Sequence, residues 1–293
     1  MKILFTLFIF FIVLFFYIHI LFQLKTSNDL EVYDLNLSSK DNFEEVLNLR
    51  QPFVFIVENE NIFNIKIEDI SKNYSSFDLK IRNLTDEEIQ YLPFTFQKSM
   101  ELLKQDKNSV YYSENNIDFL NETTLHKHYL YHDEYFRPPL LCNSQYDILF
   151  GSNNSYTPLR YEVSYRNFVL VNEGEIHIKL SPPKNCKYLF QQKDYEHFEF
   201  SSSINPWNID PKYKPDIDKV SFLDITLKAK QALFIPPYWW YSIQFHENSN
   251  VSFLKYYTIM NNITILPLIF MYYLQIYNIK LKTLKKIEIK LNE

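Results

Sequence analysis

The chain has 293 residues, 46% of them hydrophobic, enough for one domain with a sizeable core. A formal net charge of −5 and a sequence pI of about 5.9 exclude the basic surface on which nucleic-acid binding depends. Two cysteines, Cys142 and Cys186, exclude a disulfide framework or a thiolate metal cage and leave room for one bridge in an oxidising compartment.

The first predicted element is residues 3–22, ILFTLFIFFIVLFFYIHILF, which carry no charge apart from His19 when protonated. A helix of that length spans about 30 Å, the thickness of a bilayer's hydrocarbon core. A cleavable signal peptide has a shorter apolar stretch and small residues at the cut, and neither is present. The run therefore reads as an uncleaved, single-pass signal anchor (1–24), with residues 3–22 as the membrane contact. Lys2 lies on one side of it and Lys25 and Lys40 on the other, so the positive-inside bias leaves orientation open. Glycosylation sequons at Asn36, Asn73, Asn83, Asn121, Asn153, Asn250 and Asn262 favour a lumenal domain.

Residues 25–45 are polar and acidic and read as a stalk. Beyond it, FDLKI (77–81) and SVYYS (109–113) have strand character. TFQKSMELLKQ (95–105) has helical spacing through Phe96, Met100 and Leu103. HKHYLYHDE (126–134) gathers His126, His128, His132, Asp133 and Glu134, and on a helix His128 and His132 would meet as metal ligands. The segment fits a polar loop ahead of RPPLL better, and no site is assigned there.

The second half is more regular. NFVLVNEGEIHIKLSPP (167–183) reads as strand, glycine turn, strand and double-proline stop. SFLDITL (221–227), ALFIPP (232–237), WWYSIQF (239–245) and VSFLKYYT (251–258) follow as further strands, a spacing that predicts a small β-barrel or jelly roll with helices at its edges. Alternation puts Tyr241, Ile243 and Phe245 on one face and His246 on the other. Trp239 and Trp240 suit either a stacking platform or a barrel core, and Trp207 a surface loop. Gly151 and Gly174 are the chain's two glycines, expected at turns where φ is positive. ITILPLIFMYYLQIY (263–277) is predicted as a C-terminal helix that packs on the barrel or forms a homodimer. The lysines at 280, 282, 285, 286 and 290 form a solvated tail.

The ordered motifs TPLRYE, YRNFVLVNEGEIHIKLSPP, NPWNID and ITLKAKQALFIPPYWWYSI together resemble the cupin-like branch of the jumonji C family. The resemblance covers about residues 45–265, and with the anchor it is closer still to membrane-anchored cupin-like proteins of large DNA viruses. It implies a mainly β chain with added α: a double-stranded β-helix (cupin or jelly roll) preceded by the transmembrane helix. It also implies Fe(II) and 2-oxoglutarate chemistry, with metal held by two histidines and a carboxylate. At those positions this chain has Arg160, Glu162 and Tyr241. Guanidinium offers no lone pair, and tyrosine ligates only as phenolate. The family's co-substrate lysine falls on Ile176, and Lys230, Gln231 and Tyr238 replace a Gly, an Asp and a Gly. Arg160 is expected to fill the metal volume, pairing with Glu162 and bonding to Tyr241, with Thr157, Asn167, Ile176 and Trp239 lining the pocket.

These readings divide the chain into the anchor (1–24), the stalk (25–45), a cupin-like, jumonji C-like domain (46–262) and a helical segment (263–293). The function expected is a catalytically inactive binding or scaffold module, without metal or cofactor, for an unspecified protein or small molecule. The alternative is an Fe(II) and 2-oxoglutarate hydroxylase with altered ligands.

Overall fold

The computed structural model describes residues 2–35, 40–57, 59–86 and 89–291; the sequon at Asn36 and the side chains of the lysine tail lie outside the described residues. In chain order, α1 (Lys2–Leu24) leads through β1 (Tyr33–Leu35) and α2 (Lys40–Leu49) to β2 (Phe53–Ile56). Then come α3 (Ile67–Asn73), β3 (Asp78–Asn83), β4 (Tyr91–Thr95), α4 (Phe96–Gln105) and β5 (Tyr111–Ser113). α5 (Ile117–Glu122) and α6 (His126–His132) precede β6 (Leu141–Gly151), β7 (Arg160–Tyr161), β8 (Arg166–Glu173) and β9 (Glu175–Ser181). β10 (Gln191–Asp194), β11 (Glu199–Ser202) and α7 (Lys214–Ile217) follow. The chain closes with β12 (Leu223–Lys228), β13 (Gln231–Ile235), β14 (Trp240–Phe245), β15 (Asn250–Thr258) and α8 (Ile259–Leu291).

The strands form two sheets, ordered β1-β2-β13-β8-β15-β6-β5-β3-β4 and β10-β11-β7-β14-β9-β12. Alternation along β8, β13 and β15 sends Val169, Val171, Leu233, Ile235, Val251 and Phe253 inward. There they meet Ile176, Ile178 and Leu180 of β9 and Ile243 and Phe245 of β14, so the space between the sheets is filled by apolar side chains. The outer face of the larger sheet is covered as well, with Phe168, Leu170, Phe234 and Leu254 packing beneath Phe43 and Leu47 of α2. With both faces covered, β8 is buried along almost its whole length, which is why its sequence reads as one apolar run. At β9 the smaller sheet lacks such cover: Glu175, His177 and Lys179 alternate outward and are only partly buried.

The expected stalk is instead docked on the domain. Phe43 and Leu47, at i and i+4, form the buried face of α2, and β1 adds to β2 in parallel. Glu44 pairs with buried Arg166 at 2.5 Å. Arg50 ties α1 to this layer: its Nη1 donates to the carbonyls of Gln23 (2.7 Å) and Lys25 (2.9 Å), satisfying acceptors that a helix end leaves free. Most side chains of α1 stay exposed.

α8 begins at Ile259, earlier than its apolar pattern suggested, and continues past Pro267. Ile265, Leu268 and Ile269 pack on Val163, Phe200 and Tyr257, so the helix does pack on the barrel; it also packs against α1. Both α1 and the stretch Ile259–Ile279 are long and apolar enough to cross a membrane.

Segment 126–132 is helical rather than a loop, with the His128 and His132 rings 4.8 Å apart. Asp133 beside it is committed to the core, accepting from the Tyr146 and Tyr256 hydroxyls and pairing with Arg137. Cys142 and Cys186 are free thiols. Of the two glycines, Gly174 has φ +77 as expected, whereas Gly151 is required by close approach: a Cβ there would lie 2.2 Å from the Phe245 ring. Eleven non-glycine residues among those described take positive φ, including Lys230 (72) and Tyr238 (65), the two positions where the resemblance puts glycine. The Lys230 N–H donates to Val171 O (2.8 Å) and the Tyr238 N–H to Glu162 O (2.9 Å), so the turns are held although the glycines are gone.

Candidate functional site

β7 and β14 are neighbours in the smaller sheet, with Arg160 directly opposite Tyr241. Arg160 and Glu162 are two residues apart and emerge on the same side, and both meet the Tyr241 hydroxyl. That hydroxyl donates to Glu162 Oε1 (2.8 Å) and accepts from Arg160 Nε (3.2 Å). The three residues at the family's ligand positions therefore converge.

Their pairing differs from the expectation in one respect: Arg160 does not pair with Glu162. Its Nη2 contacts Glu114 Oε2 at 2.5 Å and its Nη1 lies 3.5 Å from Glu199 Oε2, while Glu162 pairs with Lys255 at 2.8 Å. Arg82 reaches the same two carboxylates, at 3.0 Å for Glu114 and 2.8 Å for Glu199. The Tyr91 and Tyr112 hydroxyls donate to Glu114 as well. Three cations and three carboxylates thus balance in one network. The Arg82, Arg160, Glu114 and Glu199 side chains are no more than 12% exposed. At that burial a missing partner is expensive, which is why each carboxylate here has several.

The protonation states follow from the packing. Burial pushes the Glu114 carboxyl upward, but Arg160 and then Arg82 outweigh it and hold it down at about 2. Burial opposes charge on Arg160, yet Glu114 and its neighbours raise it well above its ordinary value, so the guanidinium stays protonated. Burial, reinforced by Glu162, drives the Tyr241 hydroxyl well above its ordinary range and keeps it a phenol. Nearby Asp147 is raised to about 6 by burial, against the N–H groups of Asn116 and Asn115 that bond to it.

The network opens on a cleft of about 670 Å³ between the sheet rim and α8, lined by Arg160, Glu162, Lys255, Asp147, Ile269 and Tyr273 among others. Thr157, Asn167, Ile176 and Trp239, expected as pocket lining, are all fully buried and away from this cleft. Thr157 Oγ1 accepts from the Ile243 N–H, and Asn167 bonds Ser164 and the Ile235 carbonyl. Ile176 and Trp239 fill the space between the sheets, with the Trp239 indole donating to Ser27 O (3.0 Å). Trp240 is likewise buried, so neither tryptophan offers a stacking platform. Trp207 is half-buried and donates to Ser242 Oγ at 2.8 Å.

Sequence reasoning missed Arg82, Glu114, Glu199 and Lys255. One signal was available: an arginine at a buried ligand position requires carboxylate partners. Tyr112 and Glu114, two apart on and just beyond β5, fit that need.

Comparison with known proteins agrees with this architecture. The cupin-like domain family matches residues 35–262. HSPB1-associated protein 1 of Homo sapiens is 30% identical over 103 residues, covering 35% of this chain and 21% of that protein. Its Rattus norvegicus counterpart is 30% identical, covering 35% and 22%. JmjC domain-containing protein D of Dictyostelium discoideum is 26% identical over 102 residues, again 35% of this chain and 22% of the relative. The chain thus aligns with about a fifth of each of these relatives. The matched region takes in the facing sheets, the Arg160–Tyr241 strand pair and the glycine-replaced turns, and the chain belongs to the cupin-like (JmjC) domain family.

Proposed function

We propose that this chain is a membrane-anchored cupin-like module that binds a ligand or partner and carries out no Fe(II) and 2-oxoglutarate chemistry. The observation that carries the reading is the paired guanidinium of Arg160 at the first histidine position, hydrogen-bonded to a phenol at the second. That donor set does not suit iron. Arg160 has no lone pair, Tyr241 is held protonated, and Glu162 already serves Tyr241 and Lys255. A divalent cation would also meet like charge from Arg160. The filled space between the sheets, with Ile176 at the family's lysine position, supports the same conclusion for the co-substrate. The membrane part of the reading rests on the apolar, exposed α1 and on Arg50, which fastens its end to the domain.

The test uses full-length chain, carbonate-washed in membranes and then purified in detergent. It is expected to stay in the membrane pellet, to hold no stoichiometric iron, and to form no succinate from 2-oxoglutarate. Arg160→His with Tyr241→His is expected to gain metal affinity around Glu162. Copurifying iron together with 2-oxoglutarate turnover in the native chain would replace this reading with the altered-ligand hydroxylase.

A further inference from the structure

On the far side of the smaller sheet, away from the cleft, β9 and β14 bring together a second set of ligating groups. Glu175 and His177 are two apart on β9 and share its outward face. His177 lies opposite Gln244 in the β9–β14 register, which brings His246, two residues on, beside Glu175; the His246 N–H donates to the Glu175 carbonyl at 3.3 Å. One donor atom from each of Glu175, His177 and His246 lies within 4.8 Å of the other two.

Two further observations point to a ligand. His246 Nε2 is closed off from solvent and has no hydrogen-bond partner, a condition buried nitrogen rarely tolerates. His177 Nδ1 lies 2.8 Å from Thr226 Oγ1 on the neighbouring strand β12. With the threonine oxygen as acceptor, Nδ1 carries the proton and Nε2 keeps its lone pair, as in histidines that ligate metals. The two imidazole rings, with centroids 4.5 Å apart, meet edge to face, and only small side-chain movements separate this from a coordinating arrangement. Donors about 2.1 Å from a tetrahedral zinc lie about 3.4 Å apart. Lys228, opposite Glu175 on β12, is exposed and free to turn to solvent.

We infer that Glu175, His177 and His246 form a binding site for one divalent transition-metal ion, with two imidazoles and one carboxylate suiting Zn²⁺. The set has the 2-His-1-carboxylate composition that the interior has lost, but it lies on the opposite face of the sheet. Thr226 positions His177, and water completes the coordination sphere. The bound ion links the ends of β9 and β14 next to the turn that leads into β15.

The test is a Zn²⁺ titration of chelator-stripped full chain in detergent, read by calorimetry and by thermal unfolding. One equivalent is expected to bind and to raise Tm, since an ion that binds only the folded state stabilises it. His246→Ala and His177→Ala are each expected to abolish stoichiometric binding, and Thr226→Val to weaken it about tenfold. His128→Ala with His132→Ala is expected to leave it unchanged. To keep the assignment independent of how the histidine variants fold, Co²⁺ is added to the native chain as well. Visible absorption bands of a histidine-ligated site are expected, along with protection of two histidines from diethylpyrocarbonate. No bound equivalent, or binding that survives in the His177 and His246 variants, overturns the assignment. Loss of binding in the His128 and His132 variant overturns it too.

Discussion

Arg160→Met is expected to destabilise the chain by about 3–5 kcal/mol, the range for breaking a buried ion pair by removing one partner. Methionine fills similar space without charge, so the loss reports on electrostatics and not on a cavity. It leaves Glu114 and Glu199, both under 10% exposed, with Arg82 as their shared guanidinium. Urea unfolding measures the change. Adding Glu114→Gln to Arg160→Met is expected to recover part of the loss, because it removes the stranded charge. A loss below about 1 kcal/mol would mean that the network behaves like a solvated surface pair.

The same contact sets an acid limb. Glu114 is held near 2 when folded, below its ordinary 4.5. Its contribution is therefore fully present above pH 4.5 and is lost as pH falls towards 2. In Arg160→Met, where the stronger of its two guanidinium partners is gone, acid unfolding is expected to begin at higher pH.

Gly151→Ala is expected to cost about 2–3 kcal/mol, towards the upper end for overpacking a filled core. The added Cβ would stand 2.2 Å from Phe245 Cδ2, 2.3 Å from Cγ and 2.6 Å from Cβ, so rotating the ring does not relieve the overlap. Phe245 is fully buried among the apolar side chains between the sheets and stacks with Tyr112. Thermal unfolding is the check. The cost of Gly151→Ala is expected to be smaller when measured in a Phe245→Ala background, where Cγ and Cδ2 are gone and only the 2.6 Å approach to Cβ remains. An unchanged Tm for Gly151→Ala would mean that this close approach does not exist in solution.

How far the sequence could be read depended on how local each feature was. The strand from Gln231 to Ile235 and those around it are short, largely apolar runs with proline or polar ends, and those runs alone placed them within about two residues. The convergence of Arg160, Glu162 and Tyr241 was legible because two of them are two apart and the family's motif order relates the third. Their carboxylate partners were not. Arg82 and Glu199 are 117 residues apart in sequence, and their meeting depends on where β3 and β11 lie in different sheets. The docking of α2, which begins inside the expected stalk, was misread because this helix buries only Phe43 and Leu47, too few apolar residues to stand out in an acidic stretch. His246 was put on the correct outer face by alternation, but its neighbours emerge only from the β9–β14 register.

The left-handed residues have a consequence for the unfolded chain. Holding Lys230 and Tyr238 at positive φ strains the native backbone by about 1 kcal/mol each, strain that glycine would relieve. Glycine, however, roams more widely when the chain is denatured, and ordering it sacrifices more freedom, by about 0.4–1 kcal/mol per position. The two effects are comparable, so a fold with only two glycines gives up little net stability. Lys230→Gly is accordingly expected to leave the unfolding free energy within about 1 kcal/mol of the native value. Its effect should instead be visible as an enlarged conformational entropy of the denatured ensemble, with the strain released from the native enthalpy set against it.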